Sequence, residues 1–176
     1  MLELHNVTIG QQIRGLSATV NEGNVLSIMG SQGKGKTTLL RALMGFLPID
    51  EGHIVIDGEL LTPLSAPTFR RMMAYVPQQQ KVELNPKEVD TTGLETVWSP
   101  FNRQRYKLTV IDELLDIEPM ASKPIVIADD PEPKMLSMLK SLATGGHTVI
   151  VTSTHEEYIR QSDKTITLEN HDTVNY

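Results

Sequence analysis

Residues 30–38 read Gly30-Ser31-Gln32-Gly33-Lys34-Gly35-Lys36-Thr37-Thr38. They fit the phosphate-binding pattern G-x-x-x-x-G-K-[ST], with Gly30 and Gly35 as the fixed glycines, followed by Lys36 and Thr37. Glycines let the backbone curl so that successive N–H groups point inward at phosphate oxygens. In such a loop Lys36 supplies positive charge to the terminal phosphates, and Thr37 places a hydroxyl on a magnesium ion. A following helix aims the positive end of its dipole at the same place. The pattern needs a strand before it and a helix after it. Val25-Leu26-Ser27-Ile28-Met29 is a short apolar run of the kind that forms a buried parallel strand. Leu39, Leu40, Ala42, Leu43 and Phe46 have helical spacing, and Gly45 with Pro48 marks the stop.

Working outward on the N-terminal side, Leu2, Leu4 and Val7 begin an extended segment, and Leu16–Val20 is a second strand candidate. Asn21-Glu22-Gly23-Asn24 reads as the turn into the strand before the loop. On the other side, His53–Ile56 reads as a strand turning at Asp57-Gly58. These short strands predict an antiparallel sheet beside the nucleotide core. Thr68–Met73 is read as a short helix and Met73–Val76 as a strand, followed by Pro77 and Gln78. Between Lys81 and Pro100 the periodicities break down, and loop with short helix is expected. Apolar residues at 108, 111, 114 and 115 predict a helix over 106–115.

Ile125–Ala128 is another buried strand and ends in Asp129-Asp130. A helix is expected over 133–142, a strand over 147–152, a helix over 155–161 and a last strand over 164–168. Strand–helix alternation through this half predicts an α/β fold with a parallel sheet flanked by helices.

The whole chain of 176 residues suits one domain, at 39% hydrophobic and 22% charged. No apolar run approaches membrane-spanning length, and Met1–His5 does not read as a signal peptide. Cysteine is absent, so there is no disulfide framework. A net charge of −6 and only 5% aromatic residues argue against nucleic-acid binding and base stacking.

Candidate chemistry sits at strand ends. Asp129 is placed where open α/β sheets keep their ligands, and in a phosphate-loop protein a carboxylate there holds magnesium. Asp130 next to it can polarise an attacking water, or can cap the following helix. His155 can contact a terminal phosphate or be a helix-capping surface residue. Gln78 can complete a metal shell or belong to a polar loop with Gln79 and Gln80.

Taken together, these residues resemble the nucleotide-binding domain of the ABC ATPases over nearly the whole chain. Gly30–Thr38 resembles the Walker A loop, and Tyr75-Val76-Pro77-Gln78 the segment ending in the Q-loop glutamine. Ile125–Asp130 followed by Pro131 resembles Walker B, and Thr154-His155 the switch histidine. Gly52, Ile54, Asp57 and Gly58 match the family's Gly-x-Ile-x-x-Asp-Gly hairpin, and Asp163-Lys164 with the next strand its ending.

The resemblance implies a P-loop NTPase core, an N-terminal antiparallel β subdomain and a reduced helical subdomain over 81–118. It implies ATP and Mg2+ as ligands: ATP on residues 30–38, and the metal on Thr37, Gln78 and Asp129. Asp130, Gln78 and His155 would serve hydrolysis. It further implies an ATP-dependent homodimer or heterodimer, membrane-embedded transporter subunits as partners, and a cytoplasmic location, peripheral at the inner face of the membrane.

The departures bear on rate. In place of the family's Leu-Ser-Gly-Gly-Gln signature stands Trp98-Ser99-Pro100-Phe101-Asn102, placed by the following Arg103-Gln104-Arg105. Ser99 would contact a partner's nucleotide, but proline offers no N–H and phenylalanine adds bulk where glycines allow close approach. Walker B ends in Asp130 where the family has glutamate. A displacement of about 1 Å can cost on the order of a hundredfold in rate, so slow hydrolysis is expected. The interval between Gln78 and Ser99 is short, no aromatic near Ile9 and Gly10 is placed to stack on adenine, and the D-loop is not recognisable over 132–136. A non-catalytic nucleotide sensor is the alternative reading. A phosphate-loop kinase lacks support from the hairpin, the Q-loop and the histidine, and a DNA-repair relative would need coiled-coil insertions.

Overall fold

The computed structural model describes residues 1–77, 109–110 and 124–168. Two sheets organise them. Strands β1 (Leu2–Ile9), β2 (Ile13–Val20), β4 (Glu51–Ile56) and β5 (Glu59–Leu60) form an antiparallel sheet in the order β2-β1-β4-β5. Its strands alternate: in β2 Ile13, Leu16, Ala18 and Val20 are buried while Arg14, Ser17 and Thr19 face solvent. One face therefore packs and the other is wet.

The second sheet has six strands in the order β10-β3-β9-β8-β6-β7, paired parallel throughout. These are β3 (Val25–Met29), β6 (Met73–Val76), β7 (Thr109–Val110), β8 (Ile125–Asp129), β9 (Thr148–Ser153) and β10 (Lys164–Thr167). Every residue of β3, β6, β8 and β9 is buried, and their largely apolar sequences suit strands covered on both faces.

Two packing layers follow from the pleat. Leu26, Ile28, Tyr75, Ile127 and Ile150 point to the face shared with the antiparallel sheet and with helix α1 (Lys36–Leu43), whose Leu39, Leu40 and Leu43 are buried there. Val25, Val76, Val126, Val149 and Val151 point to the other face. Helix α3 (Leu136–Thr144) covers them with Leu136, Leu139 and Leu142, and Tyr158 of α4 (Glu156–Gln161) closes the layer. Each such fully buried aliphatic side chain contributes about 1.5–3 kcal/mol.

Three expectations are adjusted. Helix α2 covers Ala66–Arg70 rather than 68–73, because Pro67 supplies a favourable first turn. The helix expected from Pro133 opens with a 3-10 turn over Pro133–Met135. The helix expected over 106–115 is contradicted at Thr109–Val110, which pair with Ala74 and Tyr75 as strand β7. Both are β-branched and fit an added strand, whereas the apolar spacing around them satisfied a helical period as well. The rest of 81–118 lies outside the described residues, as do Gln78 and the stretch 98–102 with Ser99.

Candidate functional site

The carboxyl ends of β3, β9 and β8 lie side by side in register: Ile28 pairs with Thr152, and Thr152 with Asp129. The glycine-rich loop leaves the first of these ends and curls into α1. At Gly30 the chain passes under the end of β10 so closely that a Cβ would stand 2.9 Å from the Leu168 carbonyl oxygen. At Gly35, the N-cap of α1, φ is +90°, which a side chain strongly disfavours. The first turn of α1 then carries Lys36 and Thr37.

The Lys36 ammonium donates to the carbonyl oxygens of Gly30 at 2.5 Å and Ser31 at 3.1 Å, which holds it across the loop. Ser31, Gln32 and Gly33 are exposed at the loop's tip, and Lys34 is half-buried. Around the loop opens a cleft of about 390 Å³. Gly35, Lys36 and Thr37 form one side, Asp129, Asp130 and Thr154 another, and Gln12 a third.

Gln12 escaped the sequence reading. It lies in the turn between β1 and β2, and its amide works in both directions. Nε2 donates to the Gly33 carbonyl at 3.1 Å, and Oε1 accepts from the Thr38 hydroxyl at 3.2 Å. One side chain of the antiparallel sheet thus ties the tip of the loop to the first turn of its helix.

Asp129 is 4% exposed and accepts three hydroxyl donors. Thr37 Oγ1 donates to Oδ2 at 2.9 Å, Tyr75 Oη to Oδ2 at 3.4 Å, and Thr152 Oγ1 to Oδ1 at 2.6 Å. Among the described residues no lysine or arginine forms an ion pair with it. A buried carboxylate whose donors among the described residues are neutral hydroxyls, next to a phosphate-type loop, is a donor set that fits a hard divalent cation. Burial first, then the negative charge of Asp129 and the hydrogen bond to it, push the Tyr75 phenol well above its ordinary pKa, so it remains a donor.

Asp130 behaves differently. Its φ is +45°, a left-handed conformation that aspartate tolerates better than most residues. Its N–H donates to both the carbonyl (3.0 Å) and the hydroxyl (2.9 Å) of Thr152, and its Oδ1 accepts the Thr154 N–H at 3.2 Å. Asp130 thus shapes the turn and lines the cleft, while the N-cap of the helix that follows is Glu132. His155 is exposed one residue beyond Thr154, at the N-cap of α4, where its side chain makes no capping hydrogen bond. The structure therefore brings together residues 30–38, Asp129 and Asp130; Thr154 lines the same cleft, and His155 follows it in the chain.

Residues 13–140 match the family described as ABC transporter. The vitamin B12 import ATP-binding protein BtuD of Yersinia pseudotuberculosis is 38% identical over 80 residues, which is 46% of this chain and 31% of that protein. The energy-coupling factor transporter ATP-binding protein EcfA of Onion yellows phytoplasma is 28% identical over 96% of this chain and 76% of its own length. The chain spans about a third of the length of the first curated relatives it matches. Among solved structures, cbiO1 of Clostridium perfringens, part of the ABC transporter complex cbiONQ, superposes with a TM-score of 0.68 at 15% identity, covering 99% of this chain and 86% of that one. A dimeric ATP-binding cassette bound to ADP and Pi superposes with 0.65 at 20% identity, covering 99% and 97%. These superpositions establish the fold.

Proposed function

The chain belongs to the ABC transporter ATP-binding family, and from that premise we propose that it binds ATP with magnesium and hydrolyses it slowly, as the nucleotide-binding subunit of a transporter-like complex. The observation that carries this reading is the contact between the Thr37 hydroxyl and the buried Asp129 carboxylate at the edge of the glycine loop. It joins the phosphate side of the cleft to its metal side.

In this reading the backbone N–H groups of residues 30–38 cradle the phosphates, and the Lys36 ammonium neutralises the terminal ones. Thr37 and Asp129 hold the magnesium ion, with Gln78 assisting. When bound, the metal neutralises charge that develops on the phosphates. Asp130 orients water and His155 contacts the γ-phosphate. Catalysis of this kind rests on positioning and electrostatics, with no covalent intermediate. Ser99 would reach the nucleotide of a second cassette, as dimer closure requires, and membrane-embedded subunits would be the partners of the dimer.

One observation favours a second reading, a nucleotide sensor without turnover. The Asp130 carboxylate already accepts the Thr154 N–H and is bound into its own turn. Steady-state ATPase activity measured beside ATP affinity separates the two. Slow turnover lost in Lys36→Ala supports the hydrolase. Tight ATP binding with turnover no greater than in Lys36→Ala refutes it.

A further inference from the structure

We propose that Thr152 is a positioning residue for the metal-side carboxylate: its hydroxyl, wedged between Asp129 and Asp130, fixes the orientation in which Asp129 meets the cation. The proposal rests on the Mg·ATP reading of the cleft and adds to it the penultimate residue of β9.

The geometry comes from the parallel pairing of β8 and β9. Asp129 and Thr152 are register partners, so both side chains leave the sheet on the α1 face. Thr152 is 0% exposed and directly follows the aliphatic run Val149-Ile150-Val151. A buried hydroxyl requires partners, and a hydroxyl can donate one hydrogen bond while accepting others. Thr152 Oγ1 donates to Asp129 Oδ1 at 2.6 Å, the shortest of the three contacts on that carboxylate, and accepts the Asp130 N–H at 2.9 Å. Because Thr37 and Tyr75 both engage Oδ2, Thr152 is the described residue that holds Oδ1. Without it the carboxylate can rotate about its terminal torsion, which is broad for aspartate.

The arrangement separates this role from a purely architectural one. The Asp130 N–H is shared between the Thr152 hydroxyl and the Thr152 carbonyl oxygen at 3.0 Å. Thr152→Val keeps shape, strand preference and the main-chain bond to Asp130; it deletes the donor to Asp129 and the second acceptor of the Asp130 N–H, which retains the Thr152 carbonyl. Partners that orient a metal ligand typically account for about 10–100-fold in metal affinity.

The test measures ATP affinity of the full chain in excess Mg2+ and in EDTA, for wild type, Thr152→Val and Thr152→Ser. The ratio of the two dissociation constants is the magnesium-dependent gain. Thr152→Val should cut that gain by about tenfold while the EDTA value stays unchanged, and Thr152→Ser should keep the gain within about twofold. If Thr152→Val does not fold, Thr152→Cys, a much weaker donor of similar size, takes its place with the same expected loss. An undiminished gain in the folded valine or cysteine variant, or a lost gain in the folded serine variant, overturns the positioning role and leaves the Mg·ATP reading standing. A wild type with no magnesium-dependent gain overturns both.

Discussion

Replacing Gln12 with alanine removes a side chain that ties the β1–β2 turn to the glycine loop. Two hydrogen bonds are lost, to the Gly33 carbonyl at 3.1 Å and from the Thr38 hydroxyl at 3.2 Å. Both involve neutral groups, and Gln12 is exposed. Each bond therefore belongs at the lower end of the usual range, about 0.5 kcal/mol. The sum, about 1 kcal/mol, corresponds to roughly a fivefold change in an equilibrium constant. The loss appears as affinity because an untethered loop has to be ordered when phosphate binds, a cost the tether has already met. The hydrogen bonds of Gln12 go to Gly33 and Thr38, while those of Asp129 come from Thr37, Tyr75 and Thr152, so the effect should be indifferent to the metal. Isothermal titration of ATP into Gln12→Ala should show about a fivefold rise in Kd in EDTA and the same rise in Mg2+. Gln12→Glu, which sets a carboxylate against the Gly33 carbonyl and near the phosphates, should bind still more weakly. An unchanged Kd, or a rise confined to Mg2+, refutes the reasoning.

Two further predictions concern what holds the site's supports. Arg70 is 5% exposed, donates to the carbonyl oxygens of Met44 and Gly45 at the end of α1, and stacks 4.6 Å over the Phe46 ring. Arg70→Met should lower unfolding free energy by about 2 kcal/mol in urea titrations, yet leave the Kd for Mg·ATP unchanged in the folded protein. Tyr75 and Tyr158 are buried, burial being the leading cause of their raised pKa. An unfolded phenol ionises near pH 10 while the folded one keeps its proton, so stability should be flat below that pH and fall above it, by up to about 1.4 kcal/mol per pH unit for each tyrosine. Tyr75→Phe should flatten that decline by one tyrosine's share in urea titrations between pH 9 and 11.

The glycine loop, the strand before it and the helix after it were legible because each carries its own local signal: left-handed turns that need glycine, an unbroken apolar run, a helical stripe. The antiparallel sheet was legible from short alternating strands ended by Asn21–Asn24 and Asp57-Gly58. What escaped depended on pairing. Gln12 is one polar residue in a polar turn, and nothing near it in sequence points to Gly33. Thr152 and Tyr75 read as ordinary strand residues until β8 is known to lie between β9 and β6. For Thr152 a faint signal existed, a hydroxyl at the carboxyl end of an aliphatic strand whose burial demands a partner. Over 106–115 a helical period and a strand-forming Thr-Val pair competed, and added pairing on β6 decided for the strand at Thr109–Val110.

The two adjacent aspartates show how a backbone divides one motif into two tasks. Asp129 is the last residue of β8, and the pleat turns it to the α1 face, toward Thr37. Had the strand continued, Asp130 would have pointed to the opposite face, among Val126, Ala128 and Val151. An unpaired carboxylate there would be costly to bury. The left-handed turn at Asp130 ends the strand instead, and the chain stays at the sheet's edge beside the cleft. Its carboxylate is then within reach of the Thr154 N–H, one residue before His155. The turn that spares Asp130 from burial is thus also what couples it to the end of β9. A change in the Asp130 side chain should therefore disturb the segment leading to His155 as well as any water it orients, and Asp130→Asn, which can still accept the Thr154 N–H, is the variant that separates charge from that coupling.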